Sequence, residues 1–568
     1  MAKNTFSAGL PVRIAARLWT WFDRHIVDLL RQMRISYLPP LMVYMAAGIS
    51  GLTGIVGTFF IKDYLDLPAE FLAMLGFWAG LPWALKMPLG HLVDLIWRFK
   101  SVLVFVGATL IGASLAIMLG LISSPSLLTP HMTVESWFVL AALLAPVGYV
   151  IQDVVADAMT VEAVPVVDED GKPYDEKTLK LMHTTMQTLG RVAIVGGGIV
   201  VSLMNILLFN DVGRMNEHEQ VLVYITIYKM AMIIPLISVA GVILAEMLKR
   251  CRSKNISRLN CNEKNQPERT GGALRRVDPN WWILGGSSIF VLFTLAMGLM
   301  QVPYNQEIVF AGSMTIVVFL MANLVKVLEP SARRTLVGTA VVIFVFRALP
   351  GPGAGASWWQ IDELGFDQQF ISLLSLIGSS LALFGMFIFR RFMAEKSILF
   401  VVGFLTIIGA LLSLPVIGMF YGFHEWTARL TNGVVDAHFI AVVDTALESP
   451  LGQVAMIPML AWIAASAPAH LKATFFAVMA SFTNLALSLS HLGTKYLNQI
   501  FTINREVLDP LTGQIRTPAD YSELGILLLT VTAIGLLLPM TAIVLINRSR
   551  LTSREHEPIL KFPRATHR

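Results

Sequence analysis

The chain has 568 residues, of which 55% are hydrophobic and only 14% charged, with a formal net charge of +5 and a mean hydropathy of +0.66. Soluble chains average roughly 25% charged residues, so this composition excludes a disordered or disulfide-rich secreted protein and an ordinary cytosolic enzyme. The apolar residues come in blocks that reach the roughly 18–20 residues a membrane-crossing helix needs, which predicts an all-α, polytopic membrane protein.

In chain order, residues 1–37 come first and are no signal peptide. Arg13, Arg17, Arg24, Arg31 and Arg34 leave no cleavable apolar core. Ile14, Leu18, Trp21, Phe22, Ile26, Leu29, Leu30 and Met33 recur at helical spacing against those arginines, predicting an amphipathic helix on the cytoplasmic membrane surface. Fourteen spans follow, near 38–61, 69–90, 101–122, 136–162, 183–209, 221–247, 281–302, 307–328, 335–360, 370–389, 396–420, 438–467, 473–499 and 523–546. With the N-terminus in the cytoplasm, most of the 43 basic residues fall on that side, while segments 123–135 and 301–307 carry none. By the rule that Lys and Arg concentrate on the cytoplasmic face, both termini are cytoplasmic, as an even number of spans requires. The location expected is the cell (inner) membrane. Between spans six and seven, 248–280 is predicted to be a flexible basic linker with Lys249, Arg250, Arg252, Arg275 and Arg276. Such a run is topogenic or lipid-facing, so no nucleic-acid partner is implied. Cys251 and Cys261 lack metal-ligand spacing; reduced thiols are expected, with no metal or cofactor.

The chain repeats itself. FFIKDYLDLPAEFLAMLGFWAG (59–80) matches WWQIDELGFDQQFISLLSLIGS (358–379), setting Asp63 opposite Asp362, Leu65 opposite Leu364, Phe71 opposite Phe370 and Leu75 opposite Leu374. Both segments join a first span to a second across a short turn. If span nine restarts the repeat, 38–247 and 335–546 are six-helix bundles, 281–328 is an inserted peripheral hairpin with Gln301, Asn305 and Gln306 at its external turn, and 547–568 is a cytoplasmic tail. Repeated halves of this kind are a signature of secondary transporters.

Charges inside a span cost roughly 2.5–3.5 kcal/mol on insertion scales and normally face a cavity or a partner. Asp153 and Asp157 are one turn apart on span four, on one face. Two close carboxylates cannot both ionise cheaply, which suits a proton carrier; capping a helix or pairing with a basic residue is the structural alternative. Glu162 is a third proton-coupling candidate, but it lies nearer the cytoplasm and reads more as a gate residue. Arg191 on span five needs an anion, either the span-four acids or an anionic substrate, and Gly196–Gly198 beside it predicts a close helix approach. Lys229 is expected to snorkel outward. Arg347 precedes Pro350-Gly351-Pro352-Gly353, which predicts a broken helix of the kind that lines transporter sites. Its partner is a substrate carboxylate or Asp444 or Glu448, which repeat the one-turn acid spacing; Gln453 and Asn484 are further cavity candidates. Trp358 and Trp359, at a predicted external edge, read as interface anchors more than as ring-stacking residues.

Several blocks carry a resemblance: GLPWALKMPLGHLVD (80–94) with Arg98 and Lys100, QDVVADAMTVE (152–162), FVFRALPGPGAGASWW (344–359), VVDTALESPLGQVAMIPMLAW (442–462) and KATFFAVMASFTNLALSLS (472–490). The Gly90-x3-Asp94 fragment resembles the loop between spans two and three of the major facilitator superfamily. The blocks together, from about 45 to 500, look like the folate-biopterin transporter family. The resemblance implies a major facilitator fold, alternating access, and a gate in which Lys86 and Asp94 bracket the cytoplasmic end of span two, with Gly90, and Asp94, Arg98 and Lys100 hold the inward side shut. The chain departs from the family where members carry an aromatic-x-x-Thr-Pro pattern, having Phe346-Arg347-Ala348-Leu349-Pro350 instead. No phosphate-loop, zinc-protease or nucleophile-elbow motif occurs in the sequence. The reading is a proton-coupled secondary transporter and not an enzyme, working as a monomer in the bilayer on a folate- or pterin-like organic anion. The alternatives are a permease for a peptide-like or muropeptide-type solute, or a non-transporting membrane assembly factor.

Overall fold

The structure, a computed structural model, describes residues 31–65, 67–84, 86–96, 99–165, 174–210, 212–259, 281–299, 302–326, 328–389, 392, 396–452, 454, 472–508, 515–549 and 551. The amphipathic helix expected before residue 31, most of the 248–280 linker and nearly all of the tail lie outside these residues.

The first half is built from α1 (Leu38–Ile49), α2 (Gly54–Tyr64), α3 (Ala69–Ala84), α4 (Lys86–Leu95), α5 (Lys100–Ser123), α6 (Val134–Ala163), α7 (Glu176–Leu208), α8 (Glu217–Ala231) and α9 (Ile233–Leu259). The inserted pair is α10 (Trp281–Leu299) and α11 (Asn305–Val325). The second half comprises α12 (Pro330–Arg347), α13 (Ala354–Asp362), α14 (Gln368–Ile388), α15 (Ile398–Leu412), α16 (Leu414–Phe420), α17 (Phe423–Leu430), α18 (Ala437–Glu448), α19 (Lys472–Ile500) and α20 (Leu524–Arg548). Nine stretches among the described residues are long and apolar enough, as helices, to cross a membrane by length and composition.

Local chemistry sets the helix starts. Thr133, Asp175, Asp367, Ser397 and Asp436 each accept a backbone N–H from the first turn of α6, α7, α14, α15 and α18. Asn216 and Glu219 form a reciprocal capping box at α8, both bonds 2.9 Å. The helix breaks follow Gly and Pro. α1 and α2 are joined by a single tight turn, Ser50–Thr53, and Pro82 lies inside α3. The Pro-Gly segment separates α12 from α13 as expected, with Gly353 at φ 80°. Its backbone is satisfied by one face of α19. Ser490 donates to the Leu349 carbonyl at 2.6 Å, Thr494 accepts the Gly351 N–H at 2.9 Å, and Asn498 donates to the Pro352 carbonyl at 3.2 Å. Broken backbone is tolerated at membrane depth when protein groups re-satisfy it in this way.

The halves meet along two seams, α3 against α19 and α7 against α14. The expected close approach at Gly196–Gly198 is present: a Cβ on Gly197 would stand 2.7 Å from the Gly48 backbone, and one on Gly198 3.1 Å from Ser379 Oγ.

Two expectations are corrected. α9 continues to Leu259, so the linker expected from 248 begins as helix. The inserted pair is not peripheral: Phe290, Val309 and Val317 share one core with Phe77 and Leu81 of α3 and Phe482 of α19, and Glu307 accepts from Lys495 Nζ at 2.9 Å and Tyr496 OH at 2.5 Å. The described fold is all-α as expected, with one small exception in a connection. The connection between α19 and α20 carries a small antiparallel hairpin, β1 (Val507–Leu508) with β2 (Ile515–Thr517).

Candidate functional site

Lys86 is the first described residue of α4, and its ammonium meets α6. Lys86 Nζ lies 2.6 Å from Asp153 Oδ2 and 2.8 Å from Asp157 Oδ2. The two carboxylates do share one face, as their i,i+4 spacing requires, but the repulsion between them is offset by a cation they both hold. Tyr44, from α1, donates its hydroxyl to the other Asp157 oxygen at 2.6 Å. Arg191, from α7, acts electrostatically on Asp153 and Tyr44 yet makes no ion pair of its own among the described residues. Two acids and two bases thus balance in the interior of the first half. Side-chain exposures of 20% for Lys86 and 17% for Asp153 make this a partly desolvated cluster, where losing one partner is far costlier than losing a surface pair.

Glu162 belongs to a separate cluster. Its carboxylate takes Lys100 Nζ at 2.5 Å and Lys249 Nζ at 3.0 Å, tying α5, α6 and α9 together at one end of the half. Lys86, expected at the gate, therefore sits on the aspartates, whereas Lys100 holds Glu162. Gly90 lies on α4 with open space where a Cβ would be. The Asp94 side chain, Arg98 and Gln453 lie outside what the structure describes.

In the second half, Arg347 ends α12 at the helix break. Its Nε–H donates to the Thr483 carbonyl at 3.2 Å, and it makes no ion pair with Asp444 or Glu448 among the described residues. Asp444 Oδ1 is buried without a hydrogen-bond partner, and Glu448 is exposed. Asn484 is a seam residue, donating to the Trp83 carbonyl of α3 at 3.0 Å. Trp358 and Trp359 are neither anchors nor open stacking platforms. They are 2% and 5% exposed and packed with Ile503, Tyr521 and Leu524. Lys229 is exposed.

Sequence reasoning missed Tyr44, a polar tip in an apolar span with no local signal. It also missed Lys62, whose ammonium lies 2.7 Å from Asp362 and 3.5 Å from Asp63; the repeat had singled out both acids but not the cation beside them.

Apolar helices in two packed halves, with ion-paired charges held inside, are the architecture of a multi-pass membrane protein. Residues 47–561 match the BT1 family, and the chain belongs to that family. A curated relative, the folate-biopterin transporter of Synechocystis sp., is 23% identical over 455 residues, covering 79% of this chain and 72% of the relative. In fold the chain is similar to a peptide transporter POT solved in complex with sulfate, at 14% identity and TM-score 0.54 over 91% of this chain and 95% of that one. It is also similar to a mutant of the nucleoside transporter NupG, at 12% identity and TM-score 0.50 over 90% and 99%. The protein is a multi-pass membrane carrier that shares the fold of these solved transporters.

Proposed function

We propose that this carrier is a proton-coupled secondary transporter of an organic anion of the folate or pterin class. Two six-helix bundles rock about a midplane site, the inserted pair riding on their seam, with both termini cytoplasmic and the chain acting as a monomer in the cell (inner) membrane. The observation that carries the reading is Arg347. A half-buried guanidinium at a helix break, with a backbone carbonyl as its partner and no carboxylate among the described residues, is a docking point for an anionic group. Asp444 adds an acceptor suited to a ring N–H of the same solute. In the first half, Lys86 and Tyr44 converge on Asp153 and Asp157; a proton arriving there frees Lys86 or Arg191 to face the anion, which couples the two ions. Glu162 and Lys100, with Gly90, Asp94 and Arg98, act at the cytoplasmic gate. The Synechocystis relative's name supports the pterin class.

The test is uptake into proteoliposomes under an imposed pH gradient, offering labelled folate, a reduced pterin and a muropeptide separately. Gradient-driven folate or pterin uptake that Arg347→Met abolishes and Asp153→Asn uncouples is the expected result. Muropeptide uptake alone would replace the anion class with a peptide-like one, and uptake of none by folded protein would sink the assignment.

A further inference from the structure

Where the turns after α2 and α13 meet, a second charged cluster joins the halves. Lys62, in the last turn of α2, reaches across to Asp362 at the end of α13 (2.7 Å) while keeping Asp63 of its own half within 3.5 Å. The two acids are the pair set opposite each other by the internal repeat. The other oxygen of Asp362 accepts the Tyr521 hydroxyl at 2.5 Å. Tyr521 is 8% exposed and Arg505 4%. Both come from the connection between α19 and α20, which is folded back by the β1–β2 hairpin and by backbone bonds between Asn504 and Asp520 of 3.1 and 2.9 Å.

The guanidinium of Arg505 stands 5.4 Å above the Trp358 ring, one helical turn before Asp362. Ile503 of the same connection fills the space beside Gly355, where a Cβ would stand 2.6 Å from it. The hairpin thus grips α13 along its length and presents a hydroxyl to its terminal carboxylate. Burial, then Asp362 and Glu363, push the Tyr521 phenol up, against a smaller opposing pull from Arg505, so it remains a donor throughout the neutral range. Nearby, Gln368 donates to the Tyr224 hydroxyl at 2.9 Å, again from one half to the other.

We propose that Lys62–Asp362 is a latch closing this end of the carrier, that Asp63 is the resting partner to which Lys62 returns when the latch opens, and that Tyr521 and Arg505 are positioning residues that hold Asp362 in register. This rests on the rocking of two halves proposed above. Rocking separates the halves at one end at a time, so any ion pair between them there must break once per cycle. An ammonium stripped of its only carboxylate in a partly desolvated turn would make opening costly. With two acids in reach, it exchanges one partner for the other and is never left alone. The repeat supplies the second acid at the matching position, so both states of the latch are built from equivalent residues.

The test reads geometry directly and does not depend on knowing the substrate. In a full chain carrying Cys251→Ser and Cys261→Ser, spin labels at His218→Cys and Val434→Cys, exposed at this end on opposite halves, report the inter-half distance by pulsed electron resonance. Asp362→Asn should raise the ratio of long to short distances on the order of tenfold, the factor that corresponds to a hydrogen bond to a charged group, whereas Lys62→Gln, which removes the cation from both states, should move it less. Tyr521→Phe should give a smaller rise in the same direction, and Asp63→Asn should lower the ratio. Lys62→Arg, which keeps the charge, should restore the native distribution, and melting temperatures should stay within the native range. An unchanged distribution in Asp362→Asn, or a rise in Asp63→Asn, overturns the latch. Because distances are read without solute, a failure of the folate or pterin assignment leaves this result interpretable.

Discussion

Replacing Lys86 with Met would leave Asp153 and Asp157 on one face of α6 without the cation that bridges them. The lost contacts are 2.6 and 2.8 Å long, and at an effective dielectric of about 20 each amounts to roughly 6 kcal/mol of Coulomb energy before desolvation is subtracted. The observable loss is smaller, because a carboxylate can take up a proton instead. For an ordinary aspartate at neutral pH that costs about 4 kcal/mol, which sets the ceiling and agrees with the roughly 3–5 kcal/mol seen when one partner of a buried pair is removed. Asp153→Asn alone leaves Lys86 on Asp157, so it should cost about 1–2 kcal/mol. The double variant has one acid left, still bonded to Tyr44, and should be no less stable than Lys86→Met alone. Unfolding titrations in mixed micelles of mild detergent and SDS measure all three. If the double variant loses the sum of the single losses, the three groups do not form one network, and the coupling role given to them falls.

Four further outcomes follow from the geometry. Arg347→Lys keeps the charge but loses the planar fork, so anion uptake should persist with a raised KM, whereas Arg347→Met should abolish it in protein that melts normally. Gly48→Ala should destabilise by about 1–3 kcal/mol, because its Cβ would stand 2.2 Å from the Ile194 carbonyl oxygen, while Gly196→Ala, in open space, should be silent in the same melting assay. Glu307→Gln should loosen the inserted pair from α19 by weakening bonds to Lys495 and Tyr496, read as faster hydrogen exchange along α11. The Tyr521 phenol is raised in the folded state; its contribution is complete below its ordinary value of about 10 and is lost as pH rises through the folded value. The inter-half distance should therefore hold constant from neutral pH to about 10 and lengthen only above that.

Features whose physics is local were legible in the sequence. The break after Arg347 followed from two prolines and two glycines, the shared face of Asp153 and Asp157 from helical spacing, and the close approach at Gly197 from missing side chains. Partnerships across the fold were not. Lys86 is 67 residues from Asp153, and nothing local distinguished it from the gate residues near it. Arg347 was expected to choose between a substrate and two acids, yet it meets the Thr483 backbone carbonyl, an acceptor that every residue carries. Trp358 and Trp359 read as interface anchors because amphipathic rings at a span edge usually are. The connection that buries them is short, polar in part, and folds as a hairpin without an alternating apolar pattern to announce it.

The repeat explains why the two halves divide the work. In the register that sets Asp63 opposite Asp362, Lys86 falls opposite Gly385. A Cβ on Gly385 would stand 2.1 Å from the Pro450 carbonyl oxygen, so there the helix packs directly on the turn that follows α18, and no lysine could be held. The acids of α18 are consequently left without the bridging ammonium that their counterparts on α6 possess: Asp444 keeps a buried oxygen unpartnered and Glu448 is exposed. Among the described residues Arg347 in the same half also lacks an acid. Around α6 the first half pairs its acids with its own Lys86, whereas among the described residues the second half holds Arg347, Asp444 and Glu448 apart; on the mechanism proposed above, the first set would move the proton and the second would meet the solute. A symmetric pair of bundles with identical charge networks could rock but would have no reason to tie rocking to occupancy. Filling position 385 with even a methyl group should therefore distort the α14–α18 packing, and with it the spacing between Arg347 and Asp444, before it touches the Lys86 cluster.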